Sequence, residues 1–205
     1  LYIVIIFSSI VIGMNAFITV FTIFTLISTF EAYSLYKNIK SKGYNYNHPL
    51  IPPVYVLVSM LALIYIPFCG ETLYDPFLIL FIFILIWISD TMSYFFGSLF
   101  GRNNLKIEAS PNKTWEGFIG GLFCSVLFSY VSFNFIQEIF PFWKTIVLGF
   151  IIPIFGLFGD IVQSKIKRKA GVKDSGNIIP GHGGLFDRLD SAIGNSFIIL
   201  IITII

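Results

Sequence analysis

The chain has 205 residues, 56% of them hydrophobic and only 12% charged, with a formal net charge of +2 and a mean hydropathy of +0.86. A soluble domain is about a quarter charged, so the composition excludes an ordinary soluble enzyme and a nucleic-acid partner and leaves an integral membrane protein. The apolar runs are continuous rather than alternating, which excludes an outer-membrane barrel and makes helices the spanning elements.

A spanning helix needs about 20 mostly apolar residues. In chain order the predicted runs are 2–12, which is partial, then 14–36, 50–69, 76–100, 115–135, 143–162 and 189–205. They give an all-α, polytopic transmembrane helical bundle of six to seven spans. With no repeat, low-complexity linker or soluble module, residues 1–205 read as a single integral membrane catalytic domain. The first run lacks a basic leader and a small-residue cleavage site and is not read as a signal peptide. The chain opens inside an apolar run, so truncation at the amino terminus is expected.

Basic residues alternate between loops. Lys37, Lys40 and Lys42 follow the second run, Arg102, Lys106 and Lys113 the fourth, and Lys165 to Lys173 the sixth, whereas the intervening loops carry Glu71 and Asp75, then Glu138 and Lys144. Lysine and arginine in short loops favour the cytoplasm. The expectation is a multi-pass protein of the cell (inner) membrane whose charged segments, and any site within them, face the cytoplasm. Cys69 and Cys124 stand apart in apolar segments and read as packing residues. His48, beside Pro49 in a basic loop, reads as solvent-facing.

Four places carry chemistry. Asp90 lies in an apolar and aromatic run, where a carboxylate near a helix centre costs about 2.5 to 3.5 kcal/mol on insertion scales. It must face the bundle interior and meet a metal, a lysine or a hydroxyl; a neutral Asp bonded to a neighbouring helix is the simpler alternative. The loop Ser110-Pro111-Asn112-Lys113-Thr114-Trp115-Glu116-Gly117 opens a helix that Ser110 or Thr114 can cap, with Lys113 near the helix N-terminus, where phosphate binds readily. By itself this loop is equally a basic interfacial turn.

Asp160 closes an apolar helix, and Ser164, Lys167 and Arg168 follow it at four, seven and eight residues, on one face if helical. A carboxylate one turn from a hydroxyl and two from paired cations suits a divalent metal beside phosphate oxygens. A juxtamembrane belt for anionic headgroups fits the spacing equally well. The stretch Pro180-Gly181-His182-Gly183-Gly184 then permits positive φ and close backbone approach to a ligand, and it leads into Asp187, Arg188 and Asp190 at the mouth of the last helix. Asp187 and Asp190 are expected one turn apart on that helix. Capping and dipole effects account for one acid but leave His182, the glycines and Arg188 unexplained, so metal and phosphate binding is the stronger reading.

Ser164-x-x-Lys167-Arg168, four residues later Lys173-Asp174, then His182-Gly183-Gly184-x-x-Asp187-Arg188-x-Asp190 resembles the signature of the phosphatidate cytidylyltransferases, or CDP-diacylglycerol synthases. The 110–117 loop and the Asp90-Thr91 helix with Gly97 and Gly101 fit the same family, and Glu31-Ala32-Tyr33 is a weaker match. Met92 and Ser93 depart from the small residue and alanine expected after Asp90-Thr91, and the amino-terminal portion is short for the family. The resemblance implies joining of CTP and phosphatidate to give CDP-diacylglycerol and pyrophosphate. It implies that Asp160 and Asp187 hold catalytic divalent metals, a pair of Mg²⁺ ions with Mn²⁺ as the alternative, supported by Asp190 and Asp90. Lys167, Arg168, Lys173 and Arg188 then bind the phosphates, with Asp174 and His182 completing the catalytic set and Ser110, Lys113, Thr114, Ser164, Gly183 and Gly184 contacting substrate. Membrane lipids are the remaining partners, and a homodimer suits a small bundle that shelters a polar site.

Absent motifs narrow the field. No G-x-x-x-x-G-K-[ST] loop and no G-x-S-x-G elbow occurs. The rivals are a CTP-dependent polyprenol or dolichol kinase, a CDP-ether-lipid synthase, and, from another class, an ion-coupled transporter using Asp90 and Asp160, which would usually show internal repeats.

Overall fold

The computed structural model describes residues 2–41, 51–70, 73–137, 140–176 and 183–205. Among them are seven helices: α1 (Tyr2–Ile12), α2 (Met14–Ser41), α3 (Ile51–Tyr65), α4 (Pro76–Phe100), α5 (Trp115–Ile136), α6 (Phe142–Ala170) and α7 (Asp190–Ile204). Two 3-10 turns, Ile66–Phe68 and Phe186–Arg188, extend α3 and precede α7. The described residues form no strand beyond one antiparallel bridge between Asn104 and Thr114. Five helical segments are long and apolar enough to cross a bilayer, and α1 and α7 are shorter apolar helices. The all-helical expectation holds. Lys42, His48, Leu50, Glu71 and Glu138 lie outside the described residues.

Helix ends differ from the apolar runs where hydropathy fades before backbone hydrogen bonding does. The second run stops at Tyr36, yet α2 continues to Ser41; the sixth stops at Val162, yet α6 continues to Ala170. With 28 and 29 residues, these helices are about 42 Å long at 1.5 Å per residue, more than the roughly 30 Å hydrocarbon layer. Their polar ends therefore project beyond it. Asp160 does not close its helix: it sits within α6, and Ser164, Lys167 and Arg168 continue the same helix. Gly171, at φ +74°, ends α6 in a left-handed turn that returns the Gly171 amide to the Arg168 carbonyl and the Val172 amide to the Lys167 carbonyl, a conformation glycine adopts without Cβ strain.

The chain reverses at Gly13, whose φ of +131° separates α1 from α2. Tyr74 Oη donates to the Ile10 carbonyl at 3.1 Å, and its ring lies 5.6 Å from Phe17. The end of α1, the start of α2 and the start of α4 thus meet at one pole of the bundle. Asp75 caps α4 there, accepting from the Phe77 and Leu78 amides at 3.0 and 3.1 Å, with Pro76 in the first turn.

Small residues let the other helices approach. A Cβ on Gly159 of α6 would sit 2.7 Å from the Gly194 Cα of α7, and one on Gly117 of α5 would sit 3.0 Å from the Gly97 Cα of α4. Close backbone contact is the usual route to helix association where lipid removes the hydrophobic drive. Phenylalanine and isoleucine fill the remaining core, with Phe17, Phe21, Phe83 and Phe186 fully buried. Large apolar side chains such as Phe30, Phe123 and Phe135 are exposed, as a lipid-facing surface requires.

Candidate functional site

The pole opposite Gly13 gathers the polar residues. There the later turns of α2, α4 and α6 meet the starts of α5 and α7, joined by the α4–α5 loop and the segment preceding α7. Thr114, rather than Ser110, caps α5: its hydroxyl accepts from the Gly117 amide at 3.2 Å. Glu116 accepts from the Asn103 amide and from Asn103 Nδ2 at 2.7 Å, while the Leu105 amide donates to the Lys113 carbonyl and the Trp115 amide to that of Asn103. These bonds fold the loop so that Lys113 crosses to α6 and pairs with Asp160. Ser110 Oγ donates to Ser164 Oγ at 3.1 Å, and Ser164 Oγ donates to Asp160 Oδ1 at 3.2 Å. Asp160 is therefore tied to the α4–α5 loop through both oxygens.

Asp187 is held from another direction. It lies in the 3-10 turn Phe186–Arg188, not on α7, which begins at Asp190. The expected shared helix is interrupted at Leu189, whose φ and ψ of −112° and 12° are not helical. Lys167 Nζ donates to Asp187 Oδ1 at 2.7 Å, and Oδ2 accepts from the Ser175 amide, Ser175 Oγ and the Gly184 amide at 2.8, 3.0 and 3.0 Å. Burial pushes the Asp187 carboxyl up; Lys167 and the two amides outweigh it, so its pKa lies below the ordinary carboxylate value. Gly183, at φ +82°, brings the backbone so close that a Cβ there would sit 2.9 Å from Asp187 Oδ2.

Asp90 meets a hydroxyl: Ser191 Oγ donates to its Oδ1 at 3.1 Å across the α4–α7 contact. Asp190 Oδ1 accepts from the Ser191 amide at 2.8 Å. All four aspartates, 90, 160, 187 and 190, border a single cavity of about 690 Å³ that Lys113 and Arg188 also line. Its depth runs from Asp160 and Gly97 toward Pro153 and Ser89, about 10 to 13 Å along the helices. Asp160 and Lys113 sit toward the polar end and Asp90 lies beside Ser89 at depth; Pro153, Leu157 and Phe118 also line the walls.

The remaining predicted residues divide. Thr114 borders the cavity, whereas Ser110 and Ser164 act behind it on Asp160. Lys167 reaches the site through Asp187. Arg168, Lys173 and Asp174 are exposed beyond the cavity wall, and Arg168 donates to the Val172 carbonyl at 3.4 Å. Gly183 and Gly184 wrap Asp187. His182 lies outside the described residues. The sequence reading gave no role to Glu31 or Ser175, which stand directly behind Asp187. An acid inside an apolar run, the signal that singled out Asp90, also marks Glu31.

Among the described residues, no three side chains of His, Cys, Asp or Glu converge into a ready metal cage. The donor chemistry nevertheless fits a magnesium ion, which usually takes one or two carboxylates and completes its shell with water and substrate phosphates. Asp160 and Asp187 each hold a lysine ammonium, so both already sit opposite a cation.

The cytidylyltransferase family model matches residues 1–205. The phosphatidate cytidylyltransferases of Staphylococcus saprophyticus and Staphylococcus haemolyticus are 48% and 49% identical to this chain over 113 residues, 55% of this chain and 44% of theirs. That of Staphylococcus aureus strain COL is 47% identical over the same length. The match thus spans less than half the length of these curated relatives.

Proposed function

The chain belongs to the cytidylyltransferase family, and from that membership we propose that it transfers the cytidylyl group of CTP to phosphatidate, giving CDP-diacylglycerol and pyrophosphate. The observation that carries the proposal is the cavity in which four carboxylates, Lys113 and Arg188 meet at the polar end of an apolar bundle. Two polyanions must approach each other for this reaction, and a charged recess within an apolar bundle is the place for it.

An oxygen of the lipid phosphate attacks the α-phosphorus of CTP; the new oxygen–phosphorus bond forms as the bond to the bridging oxygen breaks, and pyrophosphate leaves with that electron pair. The lipid phosphate is already ionised near neutral pH, so no protein nucleophile is required. Lys113 and Arg188, which line the cavity, and Lys167, which reaches it through Asp187, neutralise the phosphates and hold them in line, where positioning and fixed charge supply most of the rate. Arg168 and Lys173 are exposed outside the cavity lining, where their charge draws the nucleotide toward the site. Asp160 and Asp187 would hold Mg²⁺ or Mn²⁺, with Asp90 and Asp190 in support, and the metal would stabilise the attacking and leaving oxygens. Diacyl chains lie against the apolar wall in the bilayer while CTP arrives from the cytoplasm, the side favoured by the basic loops.

The test is turnover by the chain in liposomes containing phosphatidate. Product that needs phosphatidate and Mg²⁺, and that falls about a hundredfold or more in Asp160→Asn and Asp187→Asn, supports the reading. A well-folded parent that makes no CDP-lipid refutes it.

A further inference from the structure

Glu31 is 3% exposed within α2 and does not border the cavity. Its Oε2 accepts from the Phe186 amide at 2.8 Å and from Ser175 Oγ at 3.1 Å, and its Oε1 accepts from the Leu185 amide at 3.2 Å. The two amides open a 3-10 turn, where N–H groups lack acceptors within the helix. Glu31 therefore caps, from a different helix, the turn that carries Asp187. The two amides, one on each carboxylate oxygen, require a group that accepts at both positions; a glutamine would set its own NH₂ against one of them.

Two glycines make room for this carboxylate. A Cβ on Gly184 would sit 2.6 Å from both Glu31 oxygens, and one on Gly176 would sit 2.5 Å from Oε1. The glycine that resembled a phosphate-approach residue thus packs on Glu31, and its amide goes to Asp187. Ser175 completes the link: its hydroxyl, with one proton, lies 3.1 Å from Glu31 Oε2 and 3.0 Å from Asp187 Oδ2.

We propose that Glu31 is a positioning residue for the transfer site, fixing Ser175 and the Gly184–Phe186 backbone so that Asp187 Oδ2 is fully occupied and Oδ1 faces Lys167. The inference rests on the reading of Asp187 as part of the cytidylyltransferase site. In Glu31→Gln the turn loses an acceptor, and Asp187 shifts without any loss of its own atoms.

The experiment uses the full chain in lipid nanodiscs: parent, Glu31→Gln and Ser175→Ala. Three quantities are read: hydrogen exchange at Leu185 and Phe186, kcat and KM for CTP and phosphatidate, and Mn²⁺ affinity by electron paramagnetic resonance without nucleotide. For Glu31→Gln the expected result is faster exchange confined to that turn, Mn²⁺ affinity and kcat each lower by about ten- to a hundredfold, and a phosphatidate KM changed by less than about threefold. Ser175→Ala, which removes only the shared hydroxyl, should lower kcat and Mn²⁺ affinity by about tenfold. Faster exchange with Mn²⁺ affinity and kcat unchanged would make Glu31 merely structural and overturn the proposal, as would unchanged exchange. If Glu31→Gln fails to fold, Ser175→Ala decides by the same criteria. A parent that binds Mn²⁺ but makes no CDP-lipid refutes the reaction and leaves the positioning role to be judged on Mn²⁺ affinity; a parent with neither property overturns both.

Discussion

Replacing Lys167 with methionine removes a cation while keeping most of the apolar stem. Lys167 Nζ lies 2.7 Å from Asp187 Oδ1, and the two side chains are 13% and 8% exposed. At an effective dielectric near 20, the gross attraction at that distance is about 6 kcal/mol. Desolvation offsets much of it, and breaking a buried pair from one side costs about 3 to 5 kcal/mol. Asp187 keeps the Ser175 and Gly184 amides on Oδ2, with the Ser175 hydroxyl shared with Glu31, which places the expected loss nearer 2 to 3 kcal/mol, below that range because the remaining charge is still hydrogen-bonded. For a chain of this size, such a loss lowers Tm by roughly 4 to 12 °C.

The pH dependence fixes the cause. A carboxyl depressed in the folded state contributes stability that is present above its unfolded pKa and lost as pH falls through its folded pKa. Asp187 is such a group, and without Lys167 its burial is opposed by the amides alone. The Tm gap between parent and Lys167→Met should therefore be widest near neutral pH and narrow as pH drops below about 4. Thermal unfolding in detergent across that range tests it. Equal Tm values at neutral pH, or a gap that does not change with pH, would refute the reasoning.

Lys113→Met separates stability from activity: its pair with Asp160 is about a quarter exposed on each side, so Tm should change by no more than that of a roughly 1 kcal/mol surface pair, while turnover falls by about a hundredfold. Thr114→Ala removes the α5 cap and should cost about 1 kcal/mol, with Thr114→Ser restoring both Tm and turnover. Gly194→Ala would place a Cβ 2.6 Å from the Gly159 Cα and 2.8 Å from the Phe155 carbonyl oxygen. Because both neighbours are backbone, α6 and α7 must separate, and a loss of about 1 to 3 kcal/mol should appear as reduced Tm and a poorer yield of monodisperse protein.

The helical bundle was legible because each span is a continuous apolar run. The ends of α2 and α6 were not, because hydropathy registers the bilayer boundary while a helix continues as long as its hydrogen bonds do. Asp160, Lys113 and Asp187 were legible as charges that composition makes costly, but their partners were not. Lys113 reaches Asp160 only because Thr114 and Glu116 fold the preceding loop back, and no spacing rule joins two residues so far apart. Asp187 and Asp190 were expected on one helix from their three-residue spacing; the break at Leu189 is a backbone choice set by tertiary bonds to Glu31 and Ser175. Glu31 itself was visible as an acid in an apolar run, but only the fold shows which backbone it caps.

The most direct test of the account follows the label. The chain is reconstituted with phosphatidate and Mg²⁺ and given CTP labelled either at the α-phosphorus or at the γ-phosphorus. Cytidylyl transfer predicts that the α-label enters the lipid fraction and the γ-label leaves as pyrophosphate. Entry of the γ-label into lipid, with the α-label remaining in soluble CDP, would contradict the account and establish a CTP-dependent lipid kinase instead.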